Sequence, residues 1–479
     1  MAVPQPTGVT MPFTTTPADA PRSDLLVMFG ASGDLARKKL FPALYRLEAR
    51  GRLGIPVIGV ASSAWSDADL RVNARQALLE AGEDIDADVF ARLARNRSYV
   101  AGNYAEAATF ERLRERASNC EHPIFHLAVP PSLFGTVANG IASVGLDKGA
   151  RLVIEKPFGR DHDSAVELNE TLHEHFAESA IFRIDHFVGK EALRSLLVTR
   201  FANAITEPMW NRNVVDSVKI TMAESFGVED RGAFYDSVGA MRDVVQNHLL
   251  QMVALLAMEQ PVNEGSKALR DEKAKVLTAT RAVDPKHYVR GQYRGYLDVP
   301  GVRPDSDTET YAAMRLEIDS PRWSGVPFFL RAGKALHQTV TEMTIEFKSP
   351  PRPLWLDEHT HCPRNSMRIE AKPQNFAAIT WLHKEPGDTM MPQAITLAPP
   401  PDERDDIGPE PYELLLEEAM KGDPTLFARE DTVLEQWRIV DPILTDVQPV
   451  EVYEPGTWGP RSASMLTRSH HGWPSEPPA

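Results

Sequence analysis

The sequence predicts two domains of different class: an α/β domain on a parallel sheet, then an α+β domain with a large, mostly antiparallel sheet. Three observations carry this. The chain has 479 residues, more than one hydrophobic core normally serves. As far as about residue 204, short apolar runs alternate with amphipathic helical stretches, the pattern of strands covered by helices on both faces. Beyond that point apolar and polar residues alternate with a period of two, as in antiparallel strands with one face exposed.

The first 22 residues hold many Thr and Pro, no apolar run and one basic residue, Arg22. They read as a disordered tail, not as a signal or transit peptide. Ordered sequence begins at DLLVMFGASGDLARKKLFPALYRL. Residues 25–29 form an apolar run closed by glycine, a buried strand. From Leu35 the apolar period becomes helical, with Leu40, Leu44 and Leu47 on one side. IPVIGVA (55–61), PIFHLAV (123–129) and ARLVIEKPF (150–158) read as further strands. After residue 204, DSVKITMAES, YAAMRLEIDS, TEMTIEFK, SMRIEAKP and FAAITWLHK alternate as strands. One long helix, 233–259, precedes most of them, and two more are expected at 412–420 and 430–437. From about Arg461 the chain is rich in Ser and Pro and reads as a mobile tail. The expected division is therefore 1–22 tail, 23–204 first domain, 205–460 second domain and 461–479 tail.

Composition narrows the function. Net charge is −15 with pI near 5.5, which argues against a non-specific nucleic-acid binder or an anionic-membrane binder. An anionic ligand would need a local exception to this acidic surface. Two cysteines, Cys120 and Cys362, imply no disulfide framework and suit a reducing compartment. No stretch approaches the ~18–20 apolar residues of a membrane span. A cytoplasmic location is expected.

GASGDL, residues 30–35, lies between the first strand and its helix. Gly30 and Gly33 allow a tight turn and close approach to a diphosphate, and the helix start offers free N–H groups to it. The spacing is Gly-x-x-Gly, short of the full dinucleotide fingerprint, so an ordinary small-residue turn stays open. The end of the second strand should choose between NAD and NADP, by an acid or an arginine. It carries Ser62 and Ser63 and neither charge. Arg37, Lys38 and Lys39 either meet a phosphate or form the solvated side of a helix.

MRDVVQNHLLQMVALLAME (241–259) is apolar on nearly every face, so Gln246, Asn247 and His248 need partners. Either a structural network satisfies His248, or the helix faces a cleft and His248 is a general base. Such a base is usually oriented by a carboxylate. Asp185, in RIDHFVGKE (183–191), is a candidate that spacing alone cannot bring to His248.

These segments, with EKPFGRD (155–161), VPFFLRAGKAL (326–336), QWRIVDPIL (436–444) and YEPGTWGP (453–460), follow one another in order. The set resembles the glucose-6-phosphate dehydrogenase family from about residue 24 to 460. The resemblance implies a Rossmann-like coenzyme domain beside a β+α substrate and oligomerisation domain, with substrate in the cleft between them. It implies oxidation of β-D-glucose 6-phosphate at C1 to 6-phosphogluconolactone, the first step of the oxidative pentose phosphate pathway, with hydride passing to NADP or NAD. His248 then takes the C1 hydroxyl proton and Asp185 pairs with it. His186 and Lys190 grip the phosphate. Lys156 lies between substrate and nicotinamide, and Glu224, Asp243 and Lys334 bind sugar hydroxyls or position the substrate. Gly30, Ala31, Ser32, Gly33, Asp34, Leu35, Ser62 and Lys156 are the implied coenzyme contacts. Arg183 and Glu191 are left structural. No metal is expected, and a homodimer or homotetramer is implied through the large sheet.

Four positions depart from the commonest pattern. Phe187 stands where a tyrosine often donates to the phosphate. Thr339 stands where some members carry arginine. Lys372, in KPQN, replaces a glutamine that touches the sugar phosphate and could restore the charge lost at Thr339. Ser62 replaces an arginine of many NADP-using members, which leaves coenzyme preference open, and no second, structural NADP site is expected. Two other readings compete. An oxidoreductase of a non-phosphorylated sugar would lack the grip of His186 and Lys190, and a silent dinucleotide-binding regulator would have lost His248 or Asp185. HTHC (359–362) and His470-His471 read as surface loop and solvated tail.

Overall fold

The computed structural model describes residues 21–351, 363–399, 409–445 and 448–474. HTHC, and all but the last two residues of the expected tail at 1–22, lie outside the described residues.

Six strands, β1 (Leu25–Phe29), β2 (Val57–Ala61), β3 (Arg97–Ala101), β4 (Pro123–Leu127), β5 (Arg151–Glu155) and β6 (Ile181–Ile184), form a wholly parallel sheet in the order β3-β2-β1-β4-β5-β6. Helices cover both faces, so β1, β2 and β4 are buried along their whole length. That is why they read as unbroken apolar runs. The strand order reverses at β1, which pairs with β2 on one side and β4 on the other. A crevice opens at such a switch point, beyond the carboxyl ends of the strands. GASGDL and the residues after β5 and β6 all fall there.

Nine strands make the second sheet: β7 (Val215–Ala223), β8 (Tyr288–Tyr293), β9 (Tyr311–Leu316), β10 (Phe328–Gly333), β11 (Val340–Phe347), β12 (Ser366–Lys372), β13 (Phe376–Lys384), β14 (Pro392–Leu397) and β15 (Glu451–Tyr453). Pairing is antiparallel except between β7 and β10 and between β8 and β15.

The expected half-exposed strands hold only at the outer edge, where Trp381 and Leu397 are each 53% exposed. The central strands are buried on both faces. One face packs against the helix that carries Val245, Leu249 and Met252. The other face packs against residues after 460, with Ala463 and Trp473 joining Phe329 and Tyr311 in one cluster. The expected mobile tail is thereby corrected over residues 461–474; 475–479 lie outside the described residues. Arg461–Leu466 is helical, Trp473 is buried, and the Arg331 guanidinium lies against the Trp458 and Trp473 rings. His470 is bound there too, its Nδ1 3.2 Å from an Asp216 oxygen.

The single long helix expected at 233–259 is a second correction. Gly232–Ala240 breaks at Gly239, with φ 65°. The chain then runs as a π-helical segment, Met241–Leu249, and as α-helix Leu250–Ala257. A Cβ at Gly239 would lie 2.4 Å from a Glu309 carboxylate oxygen. Helix Pro411–Lys421 crosses back onto the first sheet, where Leu415, Leu416, Ala419 and Met420 join the core of Leu26 and Met28. The helix expected at 430–437 runs on to Thr445.

Candidate active site

The π-helical segment sets the site. Its hydrogen bonds run from i to i+5, so side chains five apart share a face, and Asp243 and His248 are five apart. Both meet Lys156, which follows β5. The Lys156 ammonium donates to the Asp243 carbonyl at 2.6 Å and lies 3.1 Å from His248 Nε2. On the other side of the ring, His248 Nδ1 is 2.6 Å from Asp185 Oδ1. Asp185 follows β6, and Oδ1 also accepts the Phe187 amide at 3.0 Å. A carboxylate only accepts, so Nδ1 carries the proton and the Nε2 lone pair faces Lys156 and the cleft.

Electrostatics agree with that tautomer. Burial alone would raise the Asp185 carboxyl, but His248, His186 and Lys156 carry it well below the usual carboxylate range. Burial lowers His248 against the opposing pull of Asp185, and Lys156 lowers it further. The imidazole is therefore neutral and able to accept a proton at Nε2.

A cavity of about 460 Å³ opens in front of His248, lined by Lys156, His186, Glu224, Asp243, Lys334 and Leu35 among others. Glu224 and Lys334 form an ion pair across it. Lys190 and Lys372 do not line the cavity; Lys190 adjoins it through the Phe187 ring, which does. Burial, with His248 as the next cause, pushes His186 down to about 3. Burial and the neighbouring Lys372 push Lys190 down to about 8. The Lys190 ammonium sits 3.4 Å over the Phe187 ring centroid. Cationic groups held below their usual pKa in a sheltered cleft are relieved by an anion. Thr339 accepts the Ser225 amide at 3.0 Å, and Lys372 is the added charge near Lys190.

The predicted coenzyme residues lie around the crevice. Gly30 has φ 80°, and a Cβ there would stand 2.1 Å from the Ala128 carbonyl oxygen. The glycine is thus required by the end of β4 as well as by any ligand. The Ser32 and Asp34 amides form no backbone hydrogen bond among the described residues, so this turn fits a diphosphate. Ser63 Oγ bonds Ser32 Oγ at 2.9 Å, joining the end of β2 to the turn, while Ser62 is exposed. Arg37 is held by Glu80 and Lys38 by Asp34. Arg183 is buried against Glu178 and Asn169, and Glu191 pairs with Arg194; both sit in structural contacts.

Sequence reasoning missed Tyr412, Glu155, Arg231 and Arg242, which also line the cavity. Tyr412 stacks on the His186 ring, 6.2 Å between centroids and 16° between planes, and donates to a Glu155 oxygen at 3.1 Å. Glu155 is adjacent to Lys156 and was open to detection. Tyr412 comes from a helix more than 200 residues away in sequence, with no local signal.

Comparison with known proteins places this geometry. Residues 27–195 match the family described as glucose-6-phosphate dehydrogenase, NAD binding domain. Residues 197–474 match glucose-6-phosphate dehydrogenase, C-terminal domain. The chain is 44% identical to glucose-6-phosphate 1-dehydrogenase 1 of Mycobacterium tuberculosis, over 95% of this chain and 96% of that one. It is similar to a crystal structure of glucose-6-phosphate 1-dehydrogenase from Mycobacterium avium, at 44% identity and TM-score 0.88, covering 95% and 99% of the two chains. A glucose-6-phosphate dehydrogenase in complex with its substrate glucose-6-phosphate matches at 34% identity and TM-score 0.88, covering 96% of this chain and all of the other.

Proposed function

This chain belongs to the glucose-6-phosphate dehydrogenase family, and from that premise we propose that it oxidises β-D-glucose 6-phosphate at C1 to 6-phospho-D-glucono-1,5-lactone with NADP, or NAD, as hydride acceptor. The observation that carries the reading is the buried Asp185–His248 pair, 2.6 Å apart, beside a cavity lined by Lys156, His186, Glu224, Asp243 and Lys334.

Each residue has work suited to its chemistry. The substrate phosphate sits against Lys190 and Lys372, whose neighbouring charges gain from a dianion, and against His186, a neutral N–H donor until the anion makes its protonation favourable. Glu224, Asp243 and Lys334 offer acceptors and a donor to the sugar hydroxyls. The C1 hydroxyl takes the place of the Lys156 ammonium at His248 Nε2 and gives its proton there. Asp185 then stabilises the imidazolium, and a base so placed is worth ~10²–10⁴-fold. The coenzyme, held by the turn at 30–35 and the end of β2 at Ser62, supplies the nicotinamide that accepts the hydride. Lys156, moved off His248, stays between the two reactants.

The same proposal includes a cytoplasmic enzyme that works as a homodimer or homotetramer through the outer strands β13 and β14, where Trp381 and Leu397 are exposed. No helix among the described residues is long and apolar enough to cross a membrane.

The test is absorbance at 340 nm with glucose 6-phosphate, then glucose, each with NADP and NAD. Reduction with the phosphorylated sugar supports the reading. Equal rates with glucose favour a non-phosphorylated substrate, and no reduction with any pair ends the enzyme assignment.

A further inference from the structure

The π-helical segment Met241–Leu249 begins abruptly. The chain breaks at Gly239, with φ 65° and ψ 179°, which interrupts the helical ladder just ahead of the segment's first N–H groups. Ala240, at the segment's start, offers no side-chain cap, and donors left unpaired in a buried place are costly. Glu309, two residues before β9, supplies the acceptors. Its backbone carbonyl accepts the Ala240 amide at 2.9 Å, and its carboxylate Oε1 accepts the Met241 amide at 3.0 Å. Oε2 lies 3.3 Å from Arg290 Nη2. Arg290 in turn donates to the Asp307 carbonyl at 2.8 Å and the Gln448 carbonyl at 2.6 Å. Glu309 is 6% exposed and Arg290 8%, so the pair is buried, and such a pair holds only while its hydrogen bonds are made. The carboxylate comes this close because residue 239 has no side chain: a Cβ there would stand 2.4 Å from Oε1.

Nine residues in π geometry are unusual, since such turns are normally single bulges, and the site depends on them. Asp243 and His248 share a face only in this register. In an α-helix five residues turn through about 500°, which leaves the two side chains about 140° apart, and Lys156 cannot then meet both. We propose that Glu309 is a positioning residue for the reaction. It pins the first turn of Met241–Leu249, and Arg290 holds it there, so that Asp243 and His248 keep the register that faces the substrate. This rests on the reading of His248 as the base. Glu309 does not line the catalytic cavity. It lines a second cavity of about 220 Å³ with Arg290 and Asp307, and the two cavities share Val238 and Arg242. Its action on the reacting groups therefore passes through the segment.

Glu309→Leu keeps the volume and removes the acceptor for the Met241 amide. A base misplaced by about 1 Å costs on the order of 10² in rate, so kcat for glucose 6-phosphate should fall about 100-fold. The isotope effect with substrate deuterated at C1 should rise as hydride transfer becomes the slow step. Glu309→Gln still offers an oxygen to Met241 and should keep kcat within a few fold of wild type. A residue of merely structural value would lower the melting temperature and leave kcat per folded molecule and the isotope effect unchanged. That result, or a Gln variant as slow as the Leu variant, overturns the proposal. If Glu309→Leu does not fold, Glu309→Asp decides, because it keeps a charge beside Arg290 but withdraws the oxygen by one methylene. A kcat lowered about tenfold or more with a raised isotope effect supports the pin, and wild-type values refute it. Should His248→Asn keep its turnover, the base assignment falls instead, and crystal structures of the unaltered chain and of Glu309→Asp judge the pin alone. Relaxation of 241–249 from π to α geometry in the variant supports it; an unchanged segment refutes it.

Discussion

Replacing Asp185 with asparagine is the sharpest perturbation of the candidate site, because it removes one charge and little volume. In the free enzyme, protonation of His248 puts a positive charge beside Asp185 Oδ1 at 2.6 Å and Lys156 Nζ at 3.1 Å; in the substrate complex Lys156 has moved off and Asp185 acts more nearly alone. At an effective dielectric of about 20, the carboxylate attracts that charge by about 6 kcal/mol and the ammonium repels it by about 5 kcal/mol. In the native site the two nearly cancel; in Asp185→Asn only the repulsion stands. Movement of Lys156 toward Asp243 and entry of water recover part of the loss. The asparagine amide can also donate to Nδ1, which fixes the tautomer with the proton on Nε2, the wrong atom for a base. A fall in kcat of ~10³–10⁴-fold is expected from loss of charge and tautomer together. KM for glucose 6-phosphate should stay within a few fold, since Lys190 and Lys372 are untouched. Because the anion raised the basicity of His248, its removal should move the acid limb to lower pH. Steady-state rates at 340 nm across pH measure both. A kcat within tenfold of wild type, or a limb displaced upward, would refute the dyad.

Four variants give further expected outcomes. Lys190→Ala should raise KM for glucose 6-phosphate by about 10–100-fold, as for loss of one charged hydrogen bond, and leave glucose nearly unaffected; equal loss for both sugars would remove the phosphate role. In the native enzyme, KM should climb as pH passes about 8 and Lys190 loses its proton. Lys372→Ala removes a like charge, so that rise should shift to higher pH, and an unmoved rise would detach Lys372 from the site. Ser62→Arg should shift the ratio of NADP to NAD turnover toward NADP, and an unchanged ratio means that this end of β2 does not meet the ribose. Gly30→Ala puts a Cβ 2.1 Å from the Ala128 carbonyl oxygen at φ 80°. It should cost more than the ~1 kcal/mol of an ordinary left-handed glycine. A melting temperature equal to wild type would show that β1 and β4 can separate there.

The parallel sheet was legible wherever a strand was both long and central. β1, β2, β4 and β5 sit between neighbours under helices, so burial left few polar residues to disguise them. The unread strands have other reasons. β6 is four residues long and contains Arg183, a charge the sequence alone marks as exposed. Buried ion pairing with Glu178 makes it internal instead. β10 carries Arg331 between two tryptophans. β8 contains Arg290 and Gly291, where a Cβ would collide with Pro460. For Arg331 and Gly291 the neighbours that make them internal come from chain far away; for Arg183 the partner is only five residues off, but its burial is not visible in the sequence.

The same rule separates what was read in the site from what was missed. Asp185, His186 and Lys190 share one short stretch, as do Asp243 and His248, so their residue types accumulate locally and can be noticed. What no stretch contains is the contact between them. The Asp185–His248 bond spans 63 positions and needs β6 of one sheet to end beside a helix laid on the other. Tyr412 has no chemically loaded neighbourhood at all. Tyr412 opens a helix whose apolar side docks on β1, and its ring reaches His186 because that docking places the helix start at the crevice. A sequence displays the groups that chemistry requires close together along the chain. The groups that hold them in register come from wherever the packing happens to bring a helix, and these become visible only as charges and hydroxyls that the fold has taken out of water.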